Sequence, residues 1–266
     1  MAAYSKTKVL ITVMTYPHPS EAHKELVCTA GITESGEWVR LYPIDYRYRP
    51  RTQQFHKYQW IEIGLAAKGS GNDDRRESRK PDLDSIKLLG SPLSTQDNWL
   101  ARREIIDRMR HHTRTELERL YEKDRTSLGI VRPTEVLDLK VEGVERDWKA
   151  QWQDTLNQFN LFSGPPKHLE KLPYKFTYVF RCADTGEKPH TAMIEDWELG
   201  VLYRREVERL GDEKAAVANV RKKFLDEICD PSRDTRFFMG TVFPYNTWVV
   251  IGVFWPPKVA QTSLFG

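Results

Sequence analysis

Three carboxylates, Glu195, Asp196 and Glu198, fall together where an apolar run gives way to a helical pattern, with Arg204 and Arg205 close behind. Carboxylates grouped in this way can hold Mg²⁺ and serve a metal-dependent DNA- or nucleotide-processing enzyme. Acidic residues are also what a helix N-terminus attracts through its dipole. No strand Asp followed by Glu-x-Lys at nuclease spacing accompanies them. Capping is therefore the plainer account, and the three stand only as weak catalytic candidates. Cys28, Cys182 and Cys229 have no His neighbour in a nucleophile context, and the chain has no Gly-x-Gly-x-x-Gly, Walker loop or Gly-x-Ser-x-Gly. Cys182 and His190 flank a turn that a hairpin would close. Two ligands fall short of the four that a structural zinc takes, so neither a metal nor a cofactor is assigned. The chain reads as a binding protein before an enzyme.

The second constellation is Trp38-Val39-Arg40-Leu41-Tyr42-Pro43-Ile44-Asp45-Tyr46-Arg47-Tyr48-Arg49-Pro50-Arg51, in which four arginines interleave with four aromatics. Single-stranded nucleic-acid binders use this chemistry, guanidiniums meeting phosphates while rings stack on bases. Arg40, Tyr46, Arg47, Tyr48, Arg49 and Arg51 are the candidate nucleic-acid contacts, and Trp38 belongs to the core. The alternative is a solvated strand edge whose charges discourage pairing. A second basic run, Arg75, Arg76, Arg79 and Lys80, is nearly cancelled by Asp73, Asp74 and Glu77, and reads as a solvated loop.

β-Structure must position these groups. Lys8–Thr15, Glu25–Ile32, Trp38–Tyr42 and Gln59–Leu65 are short β-branched or alternating runs punctuated by Gly and Pro. Residues 68–84 are polar and read as an exposed loop. Apolar spacings of three and four predict one helix over about 99–123 and another over about 196–229, the latter interrupted at Gly211. Further strands are expected at 127–133, 136–141, 174–182, 190–195, 236–241 and 247–255. The order predicts an α+β, β-rich chain built as two small OB-like β-barrel modules with helical insertions. The modules are placed at 1–146 and 174–258, joined by a connector at 147–173 and followed by a flexible tail at 259–266.

That tail, Gln261-Thr262-Ser263-Leu264-Phe265-Gly266, resembles the Gln-x-Ser-Leu-Phe peptide by which many bacterial DNA enzymes dock on the replicative sliding clamp. Leu264 and Phe265 would be its apolar anchors, with Gln261 at the pocket rim and Ser263 between them. Three internal segments, Ser127–Pro133, Ile194–Gly200 and Asp234–Gly240, together with Val249–Lys258, are similar to a bacterial and phage family described as dual-OB-containing. The resemblance implies two OB-like barrels and a nucleic-acid or nucleotide role in DNA modification, repair or phage conflict. Some members carry extra Cys before the Asp-Trp-Glu segment, where this chain has only Cys182 and His190.

Composition bounds the rest. The 266 residues are 39% hydrophobic and 11% aromatic, which excludes a disordered chain. The longest apolar stretch, Trp248–Trp255, is strand length, so no membrane partner is expected. Met1–Lys8 lacks a signal-peptide pattern, and three scattered cysteines give no disulfide framework; both point to a cytoplasmic location. The 41 Lys+Arg against 38 Asp+Glu give a net charge of only +3, too little to establish a polyanion partner. The expected function is a nucleic-acid-binding accessory protein for single-stranded or distorted DNA, tethered to the replication or repair machinery. The alternatives are the metal-dependent enzyme above and a protein-interaction module of a defence complex.

Overall fold

The computed structural model describes residues 3–19, 25–69, 73–150, 152–153, 169–242 and 246–259. The β-branched run at the start forms β1 (Tyr4–Met14), the centre of a six-stranded sheet. β4 (Thr29–Thr33) and β6 (Trp60–Ala66) flank it antiparallel, and β5 (Trp38–Leu41) pairs with β4. β2 (His18–Pro19) and β3 (Glu25–Leu26) form a separate two-stranded ladder. Part of the segment read as a solvated loop is strand: β7 (Ser78–Arg79) lies on β5, and β8 (Pro81–Leu89) lies on β6. Lys80 alone separates these two edge strands, so the sheet curls until its edges are joined by one polypeptide run. Val9, Ile11, Val39, Leu41, Ile61 and Ile63 fill the curl.

The expected single helix at 99–123 is two. α1 (Gln96–Ile106) and α2 (Arg114–Asp124) are split by β9 (His111–His112), which pairs parallel with β10 (Leu128–Val131). Thr113 caps α2 by accepting the Glu116 N–H at 3.1 Å. β10 in turn pairs with β14 (Arg236–Val242), and β14 with β15 (Thr247–Phe254). β11 (Glu135–Gly143) pairs with β12 (Tyr174–Arg181), and β12 with β13 (His190–Met193). Pairing thus crosses the expected 147–173 connector, most of which lies outside the described residues. Residues 111–143 fold with the second half, because their strands find partners there.

The second helical region follows the sequence closely. Asp196 caps α3 (Trp197–Leu210), Gly211 ends it with a left-handed φ of 66°, and α4 (Glu213–Arg221) continues into a π-helical turn, Lys222–Glu227. The whole is α+β and β-rich, as the strand and helix patterns predict. The described sheets are open in strand order rather than closed into barrels. In the second half, helices occupy the face that further strands would need: Leu117, Leu199, Tyr203, Ala216, Val220 and Phe224 pack on Phe176, Tyr178, Phe180 and Phe237. A third cluster joins the halves, with Val13, Ala30 and Ile32 against Ile130, Phe238, Val249 and Ile251.

Candidate functional site

The end of β15, the start of α1, α3 and the π-helical turn line a half-open cavity of about 590 Å³, within the range of small-molecule and cofactor sites. Two half-buried indoles form its aromatic wall, Trp99 and Trp255 meeting edge to face with centroids 5.3 Å apart. Trp255 comes directly off β15. Trp99 is presented by an irregular backbone, since Asp97, Asn98 and Trp99 have φ of 50°, 55° and 65°. Three consecutive non-glycine residues in the left-handed region cost of order 1–2 kcal/mol each, and such conformations gather at ligand sites. The Arg102 guanidinium lies 4.0 Å from the Tyr58 ring centroid and 5.0 Å from that of Trp99, with its Nε donating to the Leu93 carbonyl at 2.8 Å. Burial lowers its pKa below the usual arginine range.

Tyr58 closes the floor at a left-handed φ of 63°. It is 4% exposed, and among the described residues its hydroxyl has no hydrogen-bond partner. Burial raises its pKa above the phenol range. A buried phenol hydroxyl without a partner costs about 1–3 kcal/mol. Lys223 sits 4.5 Å over the Trp255 ring and pairs with Glu227 at 2.7 Å. Glu206 is held by Arg209 and by the Asn219 amide, each at 2.5 Å.

The three carboxylates lie beside this cavity but are not a vacant metal cluster. Lys57 Nζ reaches Asp196 at 3.1 and 3.2 Å and Glu198 at 2.9 Å, taking the position between them that a divalent cation would need. Asp196 also accepts the Glu198 N–H at 2.9 Å, which is the capping role. Burial opposes the Lys57 charge, yet the Asp196 and Glu198 charges overcome it and hold its pKa above the usual range. Burial pushes the Asp196 carboxyl up to about 6 against the pull of Lys57. Glu195 is turned away to His18 at 2.9 Å.

The basic-aromatic stretch is largely consumed inside the fold. Arg40 is 3% exposed and donates to the Ser127 carbonyl at 3.1 Å, so it is a core residue rather than a phosphate contact. Tyr46 packs on Phe55 and Trp197 and donates to the Phe55 carbonyl at 2.6 Å. Arg47 pairs with buried Glu25 at 3.1 Å, while Arg49 bonds Asp45 and Asp84. Tyr48 is half-buried and Arg51 is exposed. The second basic run is likewise built in. Arg75 is buried and reaches the Thr241 carbonyl at 2.9 Å, and buried Glu77 accepts the Ser127 N–H. Gln261, Ser263, Leu264 and Phe265 lie outside the described residues. Sequence reasoning missed the cavity. Its one local signal was Trp99 directly after the turn-forming pair Asp97-Asn98.

Fold and site together define a β-rich α+β protein with an aromatic, mixed-charge cavity at the junction of its second sheet and helices. The chain belongs to the family described as Domain of unknown function (DUF8757), whose model matches residues 110–266. A second model, Domain of unknown function (DUF8758), matches residues 5–108. The two meet in the turn between α1 and β9, where strand pairing changes hands. No curated protein matches the chain. Among solved structures it is similar to a chain of a replication protein A heterotrimer bound to ssDNA, at 10% identity and a TM-score of 0.25, over 97% of this chain and 66% of that one. At that score the likeness fixes neither fold nor ligand. Among the described residues, no helix is long and apolar enough to cross a membrane.

Proposed function

We propose that this protein is a nucleic-acid-binding accessory protein that takes an unpaired base of single-stranded or distorted DNA into the Trp99–Trp255 cavity. The observation that carries the reading is the pair of half-buried indoles lined by cations, above a buried Tyr58 hydroxyl that lacks a partner. A flat ring suits this wall because it stacks on indole. Lys223 is tethered by an exposed i,i+4 pair, an interaction worth well under 1 kcal/mol, so it can exchange Trp255 for a phosphate at little cost. In the same reading, the Gln261–Phe265 tail carries the protein to the sliding clamp, raising its local concentration at replicating DNA.

Titration of the intrinsic tryptophan fluorescence with a short single-stranded oligonucleotide tests the cavity. Stacking on an aromatic contributes about 1–3 kcal/mol per base, so Trp255→Ala and Trp99→Ala should each weaken binding about 5- to 150-fold. Arg47→Glu with Arg49→Glu should change it far less, given their internal partners. Unchanged affinity in both tryptophan variants, or no binding by the native chain, removes the reading.

A further inference from the structure

At the far side of the second half, the β12–β13 hairpin gathers Cys182, Asp184 and His190. One potential ligand atom from each, a sulfur, a carboxylate oxygen and a ring nitrogen, lies within 4.8 Å of the others. The chain folds so because Cys182 directly follows β12 and His190 opens β13, with Phe180 and His190 in register. The turn is fixed locally. Thr185 donates its N–H to the Cys182 carbonyl at 3.0 Å, and its hydroxyl accepts the Cys182 N–H at 2.6 Å. Arg181 reaches across to the Gly186 carbonyl at 3.1 Å.

A further feature points to a ligand. The Nε2 of His190 is shut off from solvent and has no hydrogen-bond partner among the described residues, an arrangement that folded proteins rarely leave unexplained. The Cys182 sulfur beside it is buried. The Arg114 guanidinium, which would repel a cation, is itself paired with Glu118 at 2.7 Å.

We propose that Cys182, Asp184 and His190 form a Zn²⁺ site, with a solvent oxygen as fourth ligand. One sulfur, one imidazole nitrogen and one carboxylate oxygen are a zinc-type donor set. Around a tetrahedral ion with bonds of ~2.0–2.3 Å, such ligand atoms stand about 3.3–3.6 Å apart. The three atoms stand no more than 4.8 Å apart, and Asp184 is exposed and free of the core. The bound ion would pin the two ends of the β12–β13 connection to each other.

The test is titration of the reduced, metal-stripped full chain with Co²⁺, followed by Zn²⁺. A thiolate-to-cobalt charge-transfer band saturating at one equivalent and displaced by Zn²⁺ is expected. It should survive Cys28→Ser with Cys229→Ser and disappear in Cys182→Ser. Because Cys182 is part of the core, His190→Gln and Asp184→Asn provide the check in a folded chain, each weakening Co²⁺ binding about tenfold or more. Absence of the band in the native chain overturns the site. So does a band that follows Cys28 or Cys229, or one of native affinity in both His190→Gln and Asp184→Asn.

Discussion

Replacing Lys57 by Met separates the two roles that the Asp196 region can be given. The Lys57 side chain is 7% exposed and that of Asp196 is 1%, so the substitution removes the partner of a buried charge. Breaking such a pair costs about 3–5 kcal/mol. The variant escapes part of that cost by keeping Asp196 protonated. In the native protein burial raises the Asp196 carboxyl to about 6, so by about pH 7 it is ionised both folded and unfolded and contributes little further slope. In Lys57→Met the folded carboxyl retains its proton while the unfolded one loses it. A group that is protonated only when folded gives stability that declines as pH rises, here by about 1.4 kcal/mol per pH unit. The loss caused by Lys57→Met should therefore be modest at pH 5.5, begin to grow above pH 6 and steepen towards pH 8 until it meets the cost of burying the bare charge. Adding Asp196→Asn keeps a capping side chain, removes the unpaired charge and should recover most of the loss with a flat pH profile. Urea unfolding of the three proteins at several pH values measures this. A pH-independent loss in Lys57→Met, or a double variant no more stable than the single one, would refute the ion-pair account.

Two other outcomes follow. Gly200 lies where α3 crosses the N-terminal half, and an added Cβ would meet Tyr16 Cδ2 at 2.2 Å; Gly200→Ala should lower stability by about 1–3 kcal/mol in thermal or urea unfolding despite the better helix propensity of alanine. Ending the chain at Ala260 should abolish binding to purified sliding clamp in calorimetry and leave the melting temperature unchanged; equal clamp binding by both forms would make the tail a coincidence.

Much of the strand and helix pattern was legible because single residues enforce it. β1 is a run of β-branched residues stopped by Pro17, and Gly211 marks the break between α3 and α4. What was hidden depends on distant partners. β8 carries Asp82, Asp84 and Lys87 on an edge, so its polarity mimics a loop, and only pairing with β6 makes it a strand. The helical spacing near His111 and His112 is overridden by β10, which arrives later in the chain. The same blindness affected the site. Arginines read as surface chemistry in sequence, yet Arg40 and Arg75 are core residues because Ser127 and Thr241 bring carbonyls to them. The carboxylate cluster was visible, but nothing beside it announced Lys57. Trp99 and Trp255 stand nearly at opposite ends of the second sheet's segment, and no local pattern could pair them.

The strand order of the second sheet sets a timetable for synthesis. Residues 4–89 contain every strand of the first sheet, which can assemble as soon as they emerge. β10 has only the two-residue β9 beside it until β14 and β15 are made, roughly 120 residues later. At ~5–20 residues per second, that is an interval of about 6–24 s. Throughout it Ile130 and the Val13, Ala30 and Ile32 face of the first sheet lack the Phe238, Val249 and Ile251 that cover them in the finished core. A nascent chain of this protein therefore spends seconds half-folded, showing one apolar sheet face to chaperones and aggregation alike, until β14 and β15 arrive to seal it.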